Sequence, residues 1–124
     1  MTDGEDLRTR STREVLDDHL ALRKAGRLED DLRRNYHPDV VLLSLTAARR
    51  GHDGVRDQAA ELQRDCSGND YRYDEILVHD EVGMLVWSAT CPEGEISDGT
   101  DSFIVRGGAI TVQTVHYHVR RSEG

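Results

Sequence analysis

The chain has 124 residues, of which 36% are hydrophobic, 32% charged and 5% aromatic, and its formal charge is −8. That length suits one domain with a core of its own, and the apolar share argues against global disorder. No apolar run approaches the ~18 residues of a membrane span, and the acidic excess sits almost wholly in Asp65–Asp101, ten acids against one base, which argues against nucleic acid and membrane as partners.

Residues 1–10 are polar and read as a flexible tail rather than a signal sequence, so the expected compartment is the cytoplasm. Ser11 and Glu14 then form a capping box, S-x-x-E, that satisfies the first free amides of a helix. Val15, Leu16, His19, Leu20 and Leu22 follow at helical spacing until Gly26 closes the helix. A second helix carries Leu28, Leu32 and Tyr36 at i, i+4 and i+8, and Pro38 ends it. Val40–Leu45 is apolar at both parities and reads as a strand covered on both faces. Thr46–Gly51 reads as a loop. Val55, Ala59, Leu62 and Cys66 place a third helix over His52–Cys66.

The remainder reads as four strands, Tyr71–His79, Gly83–Cys91, Ile96–Arg106 and Ala109–Val119, with a two-residue hairpin at Gly107-Gly108. The order α-α-β-α followed by an antiparallel meander makes an α+β domain over 11–119, with no parallel pairing and a short C-terminal tail, 120–124. Cys66 and Cys91, 25 residues apart and outside any metal-ligand pattern, are expected as free thiols of a reducing compartment.

Four stretches then resemble one family. Ala25–Asp30, Tyr36–Val40, Gly51–Arg56 and Asp101–Ile110 with Gln113 are similar to the SnoaL-like, polyketide-cyclase-like branch of the nuclear transport factor 2-like superfamily, over about residues 12–119. The resemblance implies a cystatin-like cone in which a strongly bent antiparallel sheet wraps the N-terminal helix around an apolar pocket. It also implies a homodimer formed through the sheet face. The superfamily holds isomerases, cyclases and dehydratases alongside non-catalytic binders, so the fold leaves the activity open.

Asp101 is the sharpest candidate for chemistry. Strand alternation puts it on the apolar face with Phe103 and Val105, where desolvation raises a carboxyl group's proton affinity. The competing reading has it accept hydrogen bonds at the strand edge. The resemblance places Asp101 where ketosteroid isomerase keeps a protonated aspartate in its oxyanion hole, and His19 where that enzyme has a tyrosine. His19, inside an apolar stripe, is either a satisfied core residue or a proton donor and acceptor. By the same alignment Ser44 replaces the general-base aspartate, and serine cannot abstract a carbon-bound proton unaided. Steroid-type allylic isomerisation by that route is therefore not expected, and no G-x-S-x-G elbow supports a Ser44 hydrolase.

Tyr36 and Trp87 read as core or as pocket walls that stack on a flat ligand. Gln113, Val115 and Tyr117 share the face that the resemblance assigns to the pocket, beside Phe103. His116 and His118 take the other face unless a bulge exchanges the two. An H-x-H pair lacks a third ligand, with Asp101 and His79 the nearest guesses, so a surface or dimer-facing pair is favoured and no metal or other cofactor is expected. The favoured function is a cofactor-free acid/base enzyme, an isomerase, cyclase or dehydratase acting on a small apolar carbonyl, polyketide-like or terpenoid-like compound. The alternative is a non-catalytic ligand-binding or dimeric assembly module.

Overall fold

A computed structural model describes residues 6–121. Helix α1 (Thr12–Lys24) starts from the expected capping box: the Ser11 hydroxyl accepts from the Glu14 amide, and the Glu14 carboxylate accepts from the Ser11 amide. It stops at Gly26, whose φ of +74° suits the left-handed cap that only glycine adopts freely. Helix α2 (Leu28–Asn35) runs straight into strand β1 (Tyr36–Ser44), so Tyr36 opens a strand and Pro38 sits inside it. Strand β2 (Ala48–Arg50) folds back on β1 within the stretch expected as a loop. Helix α3 (Gly51–Asp65) follows, and then β3 (Asp70–His79), β4 (Val82–Cys91), β5 (Gly94–Arg106), β6 (Ala109–His116) and the short β7 (Arg120–Arg121).

The strands form one curved sheet in the order β2-β1-β6-β5-β4-β3, with β7 paired to β5 through Gly94 and Glu95. The fold is α+β, but one expectation fails: β1 pairs with β6 in parallel, Leu42 opposite Gln113 and Ser44 opposite Val115. The chain leaves β1 through β2, α3 and the whole β3–β5 meander before it returns as β6. An excursion of that length is free to come back in the same direction. Within β6 the register shifts once, between the pairs Ile104 with Val112 and Val105 with Ile110, and from Gln113 onward alternation is regular. Gln113 and Val115 therefore point inward, and His116 points outward.

The core, with Val15, Leu16, Val40, Leu42, Phe103 and Ile110 almost fully buried, lies between α1 and the concave face of the sheet. Asp6–Arg10, expected within a tail, instead dock on the domain: Leu7–Thr9 form a 3-10 turn, and the Arg10 guanidinium donates to Asn35 Oδ1, Arg34 O and Gly108 O. No helix among the described residues is long and apolar enough to cross a membrane.

The cysteines are not free. Cys66 at the end of α3 and Cys91 at the end of β4 form a disulfide with Cα atoms 5.4 Å apart, which removes the argument from free thiols to a reducing compartment. The pairing was hidden because the meander's return, not the spacing of 25, brings the two ends together. Closing a loop of that length is worth about 3 kcal/mol. Reduction is expected to lower Tm by roughly 10 °C; equal melting in the presence and absence of reductant would contradict this.

Candidate active site

A cavity of about 490 Å³ opens between α1, α3 and the concave face of the sheet. Leu20, Leu42, Val55, Leu62, Leu85 and Val115 supply its aliphatic wall, and Tyr71, Tyr73 and Trp87 its aromatic one. Into this apolar enclosure project a few polar side chains: His19, Arg23, Tyr36, Gln58, Asp101 and Gln113.

Asp101 enters from the middle of β5, flanked by Leu85 on β4 and Val115 on β6. Its Oδ1 accepts from Trp87 Nε1 at 3.0 Å and its Oδ2 from Gln113 Nε2 at 3.1 Å. Gln113 is oriented in turn by Tyr36, whose hydroxyl donates to Oε1 at 2.5 Å. The indole reaches Asp101 because its cross-strand neighbour is Gly99, where a Cβ would lie 2.4 Å from the ring. Burial pushes the Asp101 carboxyl up to about 6, against the opposing pull of the Trp87 bond, the His19 and Arg23 charges and the Gln113 bond. Asp101 is partly buried and lines the cavity. The Tyr36 hydroxyl is pushed well above its ordinary value by burial and by the nearby Asp31 charge, so it stays protonated as a donor.

His19 occupies the inner stripe of α1 and is 3% exposed. Its Nδ1 lies 2.7 Å from Asp31 Oδ2. A carboxylate only accepts, so Nδ1 carries the hydrogen and Nε2 is the nitrogen left for chemistry. Asp31 is fully buried and also receives Asn35 Nδ2 at 2.8 Å, while the Arg23 guanidinium stands 3.6 Å away. The rings of Tyr36 and Phe103 hold the imidazole edge-on, each 5.6 Å from it. The pair is therefore a carboxylate-oriented imidazole at the cavity wall.

Gln58 comes from α3. Its Oε1 accepts from Arg49 at 2.5 Å, and Arg49 is anchored by Glu61 at 2.8 Å, which fixes the amide's orientation. Nε2 then has no hydrogen-bond partner, the sole buried side-chain polar atom of this kind among the described residues. A buried donor left unmatched costs about 1–3 kcal/mol, a cost that an oxygen of a bound molecule would remove. Gln58→Leu is accordingly expected to weaken binding of an oxygen-bearing cavity ligand by about 10- to 100-fold. Unchanged affinity, followed through Trp87 emission, would contradict that role.

Of the residues singled out from sequence, His19, Tyr36, Trp87, Asp101, Gln113 and Val115 line this one cavity. Phe103 lies behind it, 2% exposed against His19. Ser44 does not reach it: β1 ends there and turns into β2, so the hydroxyl meets Thr46 Oγ1 and Ala47 O beside a separate depression of about 300 Å³. Tyr117 borders that same depression, its hydroxyl donating to Asp65 at 2.5 Å and its ring against Trp87. His116 stands on the outer face. Asp31, Arg23 and Gln58 were missed, although Asp31 and Gln58 each break an apolar stripe, Leu28-Leu32 and Val55-Ala59-Leu62, at the position where helical spacing calls for an apolar residue.

The sequence pattern of the SnoaL-like domain matches residues 16–113. The chain belongs to the SnoaL-like family. None of the curated proteins matches this SnoaL-like chain in sequence. Solved structures do: an NTF2-like protein of unknown function from Burkholderia xenovorans LB400 has a TM-score of 0.72 at 14% identity, over 91% of this chain and 87% of that one. TerC, co-crystallised with polyporic acid, has a TM-score of 0.69 at 18% identity, covering 86% and 91%. A Mesorhizobium loti protein provisionally named a SnoaL-like polyketide cyclase has 0.62 at 16%, covering 87% and 100%. Likeness at these identities establishes a shared fold.

Proposed function

We propose that this SnoaL-like protein is a cofactor-independent acid/base enzyme that moves a proton on a small, largely apolar ring compound bearing carbonyl or enol oxygens, of polyketide or terpenoid type. The observation that carries the reading is the convergence of a desolvated carboxylate, Asp101, and a carboxylate-oriented imidazole, His19, on one apolar-walled cavity.

With its proton affinity near pH 6, Asp101 is mostly ionised at about pH 7 yet a stronger base than an exposed aspartate. A substrate whose carbonyl faces His19 and Arg23 gives the proton of its neighbouring carbon to Asp101. The electron pair left behind moves onto the carbonyl oxygen, where the Arg23 guanidinium and, in its doubly protonated form, the His19 imidazolium held by Asp31 offset the charge. Returning the proton to a different carbon completes an isomerisation. Attack of the enolate carbon on a second carbonyl of the same molecule closes a ring, and that oxygen takes the proton. Trp87, Tyr71 and Tyr73 supply stacking faces, and TerC's polyporic acid, a hydroxyquinone, exemplifies the flat, oxygen-bearing class that such walls suit.

Deuterium exchange tests the reading without knowledge of the natural substrate. A panel of aromatic 1,3-diketones is incubated in D2O, and the compounds that quench Trp87 emission are kept. The protein should speed exchange of their acidic C–H, and Asp101→Asn and His19→Ala should each lose ~100-fold or more of that acceleration. Bound diketones that exchange no faster than in buffer would make the chain a binding module instead.

A further inference from the structure

A second constellation of donors lies on the opposite side of the sheet from the cavity. Asp98 on β5, His116 at the end of β6 and His118 two residues beyond share the outer face. The ladder pairs Thr100 with His116, so its continuation brings Asp98 beside His118. The His118 backbone amide donates to Asp98 Oδ1 at 3.1 Å. Asp98 Oδ2 lies 3.0 Å from His118 Nδ1 and 3.7 Å from His116 Nε2, and the two imidazoles meet edge to face with centroids 5.0 Å apart. One donor atom from each residue falls within 4.8 Å of the other two.

We propose that Asp98, His116 and His118 form a binding site for a divalent first-row transition-metal ion, best matched by Zn2+, on the outer face of the sheet.

Geometry and donor type both suit such an ion. With metal–nitrogen and metal–oxygen bonds of about 2.0–2.2 Å, donors on adjacent corners of a tetrahedron stand ~3.3 Å apart. The 3.0 and 3.7 Å separations from Asp98 Oδ2 straddle that value, so an ion can enter with small side-chain rotations. Two imidazole nitrogens and one carboxylate oxygen suit Zn2+ and its neighbours, whereas Ca2+ and Mg2+ require oxygen donors throughout. The carboxylate is held in place before any ion arrives, because the His118 amide bonds its other oxygen; such outer support usually accompanies metal ligands. The three side chains are 46%, 45% and 64% exposed in chain order, so an ion reaches them directly from solvent. Three protein ligands leave a fourth position for water or an incoming donor. A plain ion pair between one carboxylate and two histidines would show the same contacts, and metal affinity separates the two.

The test is calorimetric titration of Zn2+ into the full chain at about pH 7.5. One ion per chain is expected, with no heat from Mg2+. Asp98→Ala, His116→Ala and His118→Ala should each weaken binding by ~10-fold or more, and the His37→Ala/His79→Ala pair, exposed elsewhere, should leave it unchanged. Because the three ligand side chains are solvent-accessible, each variant should melt within a few degrees of the parent, which separates lost binding from lost folding. Zn2+ binding that survives the His116→Ala/His118→Ala double variant, or no saturable binding by the parent chain, would overturn the site.

Discussion

Asp101→Asn is expected to abolish acid/base catalysis and, at neutral pH, to make the protein more stable. The first effect follows from the loss of the base and is of the order of 10²–10⁴-fold. The second follows from burial. Because the folded protein holds the Asp101 proton more tightly than the unfolded chain does, stability attributable to this group is greatest below about pH 4 and falls as pH rises to about 6. The loss amounts to roughly 2–3 kcal/mol. Asparagine is neutral throughout and removes that slope. Rotation of the Gln113 amide, with the Tyr36 hydroxyl switching from donor to acceptor, lets the network stay satisfied around it. Urea denaturation of parent and variant should therefore diverge between about pH 4 and 6 and favour the variant above that window. A variant less stable than the parent at neutral pH would mean that Asp101 is a structural acceptor and not a desolvated base.

Asp31→Ala is expected to be the most destabilising single change in the site, by about 3–5 kcal/mol, because it strands the buried donors of His19 and Asn35. Asp31 is fully buried and joins the His19 imidazole, the Asn35 amide and the Arg23 guanidinium. Asn35 also bridges Asp18 and Arg10, so the damage reaches the docking of the N-terminal segment. Arg23, a quarter exposed, can turn to solvent, whereas His19 cannot. Denaturant midpoints measure the loss. A cost below about 1 kcal/mol would show that the pair contributes no more than an average hydrogen bond and would weaken the case for an oriented imidazole.

Local rules made the scaffold legible and reached part of the site. The Ser11-Glu14 box, the Gly26 cap and the alternation of β5 from Gly99 to Val105 depend on neighbours in sequence, and each is realised. The face of Asp101 could be read because strand parity is a local property. The parallel β1–β6 ladder, the Cys66–Cys91 bond and the third member of the His116–His118 cluster depend on how distant segments return, and no spacing rule reports that. Ser44 illustrates the same limit: β1 ends at it and the chain turns into β2, so its hydroxyl meets Thr46 and Ala47 and not the cavity. Asp31 and Gln58 lie between these cases. Their positions on apolar stripes were visible, as for His19, yet a carboxylate in a charged helix such as α2 reads as a solvated surface until its burial is seen. Polar residues that interrupt an apolar stripe mark this site better than any motif does.

The central claim, that the cavity holds a carboxylate tuned toward neutral pH, is tested most directly by the carboxyl-carbon NMR titration of Asp101 in the intact chain, assigned by comparison with Asp101→Asn. A midpoint near 6 that moves further when a flat hydroxyquinone fills the cavity is the expected result. A midpoint at or below about 4, the value of an ordinary exposed aspartate, with no response to the ligand, would contradict the account.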